Sequence, residues 1–185
     1  MMKVLVTGAT GFVGKKLASE LVKRGHTVSI LTRDRQSARK RMPVECEIHQ
    51  WEPELYPPKS DCFEGVDAVI HLAGANIADG RWSKSRKNSI KDSRVLSTRN
   101  LVSTLKSLQK PPATLLSASA IGFYGNCKPV ELYESLEPGH GFLADVCKEW
   151  EHEAFIAKKH NIRTIALRIG LVLGYEGGAM KKMIP

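Results

Sequence analysis

The run Thr7-Gly8-Ala9-Thr10-Gly11-Phe12-Val13-Gly14 places three glycines at a spacing of three, directly after a short apolar segment. A turn of this kind between a strand and a helix bares backbone N–H groups at the helix N-terminus, where the helix dipole adds a partial positive charge. Such a cradle suits the pyrophosphate of a dinucleotide, with Gly8, Thr10, Gly11, Phe12, Val13 and Gly14 forming it. The glycines have separate tasks: a sharp turn after the strand, close approach of backbone to phosphate, and tight packing of helix on sheet. A purely structural turn is the competing reading, and the strand and amphipathic helix on either side favour the cradle.

A second chemical signal lies about 20 residues further on, where dinucleotide folds meet the adenosine ribose. The sequence there is Leu31-Thr32-Arg33-Asp34, followed by Arg35, Arg39, Lys40 and Arg41. An Arg at this place suits the 2′-phosphate of NADP(H), and Thr32 can add a hydroxyl to the charge-assisted bonds of Arg33. Asp34 keeps NAD(H) open as the lesser alternative, because an acid accepts from a free 2′-hydroxyl. Arg39 to Arg41 read as a solvated basic helix.

The elements that position these groups alternate in type. Strands are predicted over 3–7, 27–32, 46–50, 66–73, 113–118 and 163–169. Helices are predicted over 12–24, 84–107 and 142–159, from apolar residues at helical spacing. Gly25 sits where a C-cap glycine belongs, and Pro111-Pro112 ends the second long helix. The stretch 51–65, with Pro53, Pro57 and Pro58, stands where a helix between the third and fourth strands would be expected. Alternation of this kind with near-continuous apolar strands implies an α/β doubly wound parallel sheet of Rossmann type, strand order 3-2-1-4-5-6, helices on both faces.

The chain has 185 residues, a size suited to one domain, read here as a dinucleotide-binding domain over 1–185. Its 42% hydrophobic and 25% charged residues mark a globular chain. No apolar run approaches about 20 residues, and the start is too brief for a signal peptide, so a cytoplasmic protein without a membrane partner is expected. Cys46, Cys62, Cys127 and Cys147 lie far apart; isolated thiols in a reducing compartment are expected, with no metal site. The net charge of +9 fits either nucleic acid or a phosphorylated small molecule. One basic cluster falls where a 2′-phosphate belongs, and the other, Arg81 to Lys91, lacks an aromatic stacking array beyond Trp82, so no motif stands behind nucleic-acid binding. The sequence ends at Met183-Ile184-Pro185 soon after the sixth strand, and a further C-terminal segment is expected in the complete protein.

The Gly-x-x-Gly-x-x-Gly spacing resembles the short-chain dehydrogenase/reductase superfamily, in particular its extended branch of epimerases and dehydratases. His71-Leu72-Ala73-Gly74 resembles the loop lying under the cofactor in that branch, and Ser117 to Gly125 its hydroxyl-bearing loop. Gly74 to Trp82, Arg86-Lys87, Ile90, Asp92 to Arg94, Phe142 to Ala144, Trp150-Glu151, Leu167 to Gly174 and Gly177 to Met180 are similar to one atypical subgroup. Its members are described as epimerase family proteins, some with an older label of cell-division inhibitor. The resemblance covers essentially the whole chain. It implies a small-molecule substrate bearing a hydroxyl or carbonyl, a nucleotide sugar among the options, and a C-terminal substrate domain absent here. Leu72, Ala73, Gly74, Ala75 and Arg81 are implied cofactor contacts. Helices flanking such sheets often pair, which leaves a homodimer open.

The resemblance also implies a Tyr-x-x-x-Lys helix, in which the Lys tunes a phenol that exchanges a proton. Over 142–151 Lys148 stands at a plausible lysine position, but Ala144 replaces the Tyr four residues earlier. A solvated helix lysine is the stronger reading for Lys148. Tyr124-Gly-Asn-Cys-Lys128 matches the pattern literally, yet Gly125, Asn126 and Pro129 make it a turn. Tyr124 remains a candidate phenol facing the cofactor. Ser119 is the candidate substrate-positioning hydroxyl, equally readable as a strand-end hydroxyl bonded to backbone, and Ser117 is its alternative. Without the expected Tyr, a non-catalytic NADPH-binding sensor or interaction module stands beside an oxidoreductase or epimerase. Trp82 and Trp150 read as packing residues, and His71 as a satisfied core histidine.

Overall fold

The structure is a computed structural model of the chain and describes residues 1–126, 131–175 and 177–178. Six parallel strands form one sheet in the order β3-β2-β1-β4-β5-β6, as expected from the alternation of elements: β1 (Lys3–Thr7), β2 (Thr27–Thr32), β3 (Glu47–Gln50), β4 (Ala68–His71), β5 (Thr114–Ala120) and β6 (Arg163–Ile169). Strands β2 and β3 lie to one side of β1 and β4 to β6 to the other. The order therefore reverses between β1 and β4, whose last residues Thr7 and His71 are partners in register. Doubly wound sheets bind ligands in the crevice beyond the carboxyl ends of the strands at such a reversal.

Residues alternate faces along β1. Val4 and Val6 join Ala18, Val28, Ile30 and Ala38 under α1 (Phe12–Lys23) and α2 (Arg35–Arg41). Leu5 joins Leu31, Trp51, Phe63, Val69 and Leu115 under α3 (Lys84–Leu105), whose Leu101, Val102 and Leu105 point into that cluster. Each fully buried Leu or Ile of these layers contributes about 1.5–3 kcal/mol.

Most element bounds agree with the sequence to within a few residues. Helix α4 (Phe142–Phe155) passes into a 3-10 turn (Ile156–His160), and Asn161 at φ 60° closes it. The stretch 51–65 holds only a short 3-10 turn (Ser60–Phe63). It is pinned to α3 by Asn100 Nδ2 donating to Pro53 O (2.9 Å) and Thr104 Oγ1 donating to Pro58 O (2.6 Å). Periodicity missed the small antiparallel pair β7 (Leu173–Gly174) and β8 (Gly177–Gly178), whose strands are too short to show alternation. The Phe12 ring packs against Gly174 and Gly177 of this hairpin, in the space that side chains on those glycines would need.

A candidate dinucleotide cleft at the sheet reversal

The backbone of Gly8 turns at φ 69°, and a Cβ there would lie 2.7 Å from Leu72 C and O. A Cβ on Gly14 would lie 2.6 Å from Ala9 Cα and clash with Gly8 O. These two glycines thus set how closely the turn approaches the β4 loop and how closely α1 seats on the turn. Gly11 caps α1 without a side-chain hydrogen bond, and the first turn carries no acid. The helical ladder begins with Lys15 N donating to Gly11 O at 3.0 Å. The N–H groups of Phe12, Val13 and Gly14 precede it and are the donors a helix N-terminus leaves for an anion.

The turn opens on a cleft of about 460 Å³. Thr7, Gly8, Thr10 and Gly11 form one wall, Leu31, Thr32, Arg33, Trp51, Pro53 and Glu54 one end, Leu72 to Asn76 with Asp79 the floor, and Arg86, Ser89 and Ser93 of α3 the opposite wall. Of the cofactor contacts expected from sequence, the cleft brings together Gly8, Thr10, Gly11, Thr32, Arg33, Leu72, Ala73, Gly74 and Ala75. Gly14 is buried beneath them. The side chains of Phe12 and Val13 point instead into an apolar groove beside β7, so only their backbone faces the turn. Arg81 is exposed in the loop before α3 and does not line the cleft.

At the end of β2 the acid and the base part. Asp34 is the N-cap of α2: its Oδ1 accepts from Ser37 N at 2.9 Å. Its own backbone N donates to Thr32 Oγ1 at 3.4 Å. Arg33 is exposed along the cleft edge. Arg41, which the sequence offered only as a solvated helix residue, reaches back over α2 and donates from Nη2 to Thr10 O at 3.0 Å. A contact across 31 residues leaves no local sequence signal.

His71 ties the cleft floor to α3 and is fully buried. Thr98 Oγ1 donates to Arg94 O (2.6 Å) and so accepts from His71 Nε2 (3.0 Å). That leaves Nδ1 to accept from Thr7 Oγ1 (2.7 Å), which in turn accepts from Ala73 N (3.2 Å). The imidazole is thus a satisfied neutral ring, and burial pushes its pKa down to about 4. The loop after β4 is held by three α3 side chains. Ala75 N donates to Ser93 Oγ (3.0 Å), Arg94 Nη2 donates to Ala75 O (3.0 Å), and Arg86 Nη2 donates to Asn76 O.

The hydroxyl and phenol candidates lie outside this cleft, in a network at the end of β5. Ser119 Oγ donates to Glu151 Oε1 at 2.6 Å, and both residues are buried. Arg168 holds Glu151 through Nε and Nη2, each at 2.9 Å, and its Nη1 donates to Tyr124 Oη at 2.9 Å. Its guanidinium stacks 3.4 Å from the Phe123 ring centroid. Glu151 raises the pKa of Arg168 further, so this cation is fixed. Ser117 lies inside the sheet, donating to Ala118 O. Lys148 is exposed, next to Lys91 and Asp145 on the outer side of α4. The residues α4 turns toward the β5 loop are Leu143 and Cys147, which pack on Gly122, and Glu151. Burial pushes the Cys147 thiol up. Lys128, the second half of the literal Tyr-x-x-x-Lys match, lies outside the described residues. Trp82 and Trp150 are packing residues: Trp82 meets Phe142 edge-on, and Arg94 lies over the Trp150 ring.

The remaining basic cluster is dispersed. Lys91 pairs with Glu149 (2.7 Å), Lys87 sits over the Phe142 ring, and Arg86 turns into the cleft. Among the described residues no group of three His, Cys, Asp or Glu could hold a metal ion, and no helix is long and apolar enough to cross a membrane. Cys46, Cys62 and Cys147 are free thiols.

With this geometry established, comparison with known proteins is consistent across sequence and fold. The family model described as "NAD dependent epimerase/dehydratase family" matches residues 4–185. The Arabidopsis thaliana "Epimerase family protein SDR39U1 homolog, chloroplastic" is 37% identical over 100% of this chain and 53% of its own length. Bacillus subtilis "Epimerase family protein YfhF" is 35% identical over 99% of this chain and 59% of its own. The chain thus spans somewhat over half the length of the curated relatives it matches. Among solved structures, human epimerase family protein SDR39U1 (isoform 2) with NADPH superposes with a TM-score of 0.82 at 27% identity, covering 99% of this chain and 58% of that one. The nucleoside-diphosphate sugar epimerase from Corynebacterium glutamicum gives 0.80 at 34% identity, covering 98% and 36%.

Proposed function

The chain belongs to the NAD-dependent epimerase/dehydratase family, and from that premise we propose that it is an NADP(H)-binding oxidoreductase or epimerase of the short-chain type. Its substrate is a small metabolite bearing a hydroxyl or carbonyl, with nucleotide sugars among the options. The observation that carries the cofactor choice is the Asp34 cap. With its Oδ1 capping Ser37 N, Asp34 does not line the cleft, and the end of β2 offers a ribose phosphate the Arg33 guanidinium. The human relative crystallised with NADPH supports the same choice.

The residues fit the group. The glycine turn leaves backbone, not side chain, at the cleft, and the N–H groups of Phe12, Val13 and Gly14 hold the pyrophosphate, while Gly11 N donates within the turn to Gly8 O. Thr32 and Arg33 hold the 2′-phosphate, and Leu72 to Ala75 form the floor. When bound, the nicotinamide supplies hydride exchange. On the side of the chain, Ser119 and Tyr124 are the candidate groups for substrate and proton. Arg168 orients the Tyr124 phenol, and Glu151 fixes Arg168. The substrate pocket is completed by the part of the relatives that this chain does not span, so residues 1–185 act as the cofactor domain. The protein is cytoplasmic, takes neither metal nor membrane as partner, and can pair as a homodimer through helices flanking the sheet.

A second reading has its own observation. The α4 face against the β5 loop presents Leu143, Cys147 and Glu151, with Lys148 turned to solvent. A protein that binds NADPH without turning it over, as a sensor or interaction module, is built this way. Following nicotinamide absorbance across a panel of carbonyl metabolites separates the two. Turnover establishes the oxidoreductase, and NADPH binding with no turnover of any member establishes the binding module.

A further inference from the structure

The cleft wall opposite the glycine turn carries a cation that neither the sequence motifs nor the fold-level expectation assigns. Arg86 stands in the first turn of α3, partly buried, and lines the same cleft as Gly8 and Gly11. Its Nη2 donates to Asn76 O, but its Nε is buried with no hydrogen-bond partner. A guanidinium has five N–H donors, and a buried one left unpaired is costly unless something meets it. Ser89, one helical turn on, lines the cleft beside it. Arg94 lies close enough for the two like charges to act on each other, and it is itself committed to Ala75 O and Ile90 O. Arg86 therefore brings a buried, unpartnered Nε–H to a cleft that Glu54 and Asp79 also line.

The opposite wall explains what the charge is for. A helix N-terminus is worth roughly half an elementary charge, and it falls well short of the two charges of a pyrophosphate. α1 has no side-chain cap, and its N-terminal amides depend on backbone alone. A dianion seated on that turn needs a second source of positive charge across the cleft.

We propose that Arg86 is that source: a guanidinium from α3 that binds the cofactor's pyrophosphate from the side opposite the α1 amides, with Ser89 as an accessory donor. This rests on the cofactor reading above and extends it to a residue of α3. It is distinct from the role of Arg33, which discriminates the 2′-phosphate. The competing role for Arg86 is that of a loop clamp through Asn76, and the test separates the two.

Calorimetric titration at one fixed salt concentration compares the wild-type chain with Arg86→Gln and Arg86→Lys. The ligands are NADPH, NADH and adenosine 2′-monophosphate, which has no pyrophosphate. Arg86→Gln is expected to weaken NADPH and NADH by the same factor, about tenfold or more for a lost charge-assisted bond, and to leave adenosine 2′-monophosphate within about twofold. Arg86→Lys, which keeps the charge without the fork, is expected to fall between. Unchanged NADPH binding in Arg86→Gln overturns the proposal while leaving the cofactor reading intact. An equal loss for all three ligands also overturns it, because that is the signature of a loop clamp. A wild-type chain that binds neither dinucleotide overturns the cofactor reading, and this proposal with it.

Discussion

Asp34 Oδ1 accepts the backbone N–H of Ser37 at 2.9 Å, so the acid at the end of β2 caps α2 while its neighbour Arg33 lines the cleft. An acid in that place is the mark of NAD only if its carboxylate is free to face the ribose. Here it is the start of a helix, and Arg33 is left at the cleft edge.

Arg33→Ala is accordingly expected to weaken NADPH by about 10- to 100-fold, the worth of a charge-assisted phosphate contact, and to change NADH little. Asp34→Ala is expected to cost about 0.5–2 kcal/mol of stability through the lost cap, with the preference for NADPH over NADH retained. Competition titrations with the two cofactors, alongside urea melts, read both. A preference that inverts in Asp34→Ala would return the acid to the ribose.

Stability should fall as the solution is acidified, with His71 a main contributor. The folded pKa is about 4, against an ordinary value of 6.5. Above 6.5 both states are neutral and the ring contributes no slope. Between 6.5 and 4 the unfolded chain takes up a proton that the native one refuses, so stability drops as pH falls through that window, by on the order of 3 kcal/mol in all. His71→Gln is expected to lose this part of the slope in urea melts collected from pH 7 to 4. An identical slope in the variant contradicts it.

Gly8→Ala places a Cβ 2.7 Å from Leu72 C at a φ of 69°. Neither the turn nor the β4 loop can give way without moving the cleft floor. The variant is expected to lose about 1–3 kcal/mol and to bind NADPH at least about tenfold more weakly. A fully stable variant with unchanged NADPH affinity contradicts the packing described here.

The two ends of the Lys148–Glu151 segment should behave in opposite ways. Glu151→Ala strands the Arg168 guanidinium, whose side chain is only 17% exposed, and is expected to cost about 3–5 kcal/mol. Lys148→Ala touches an exposed side chain and is expected to stay within about 0.5 kcal/mol, with NADPH affinity unchanged. A tenfold loss of NADPH affinity in Lys148→Ala would place that lysine at the cofactor after all.

The contrast between these residues shows what the sequence could and could not disclose. The glycine turn, the strand order and the ends of β1, β2 and β4 were legible because apolar periodicity and glycine spacing are local and set by backbone geometry. The phase of α4 was not. Successive helical residues differ by about 100°, so a misplacement of one position exchanges exposed Lys148 for buried Cys147. The Arg41–Thr10, Ser119–Glu151 and Glu151–Arg168 contacts join residues 31, 32 and 17 positions apart and leave no pattern in the chain. Asp34 was ambiguous for a different reason, since Asp serves equally well as ribose acceptor and as N-cap.

An amide NMR titration of the chain with NADPH reads the glycine turn and the end of β2 residue by residue. The backbone signals of Gly11, Phe12, Val13 and Arg33 are expected to shift together and saturate at one equivalent. Saturable binding that leaves those four amides in place, or no binding at all, would contradict the dinucleotide cleft.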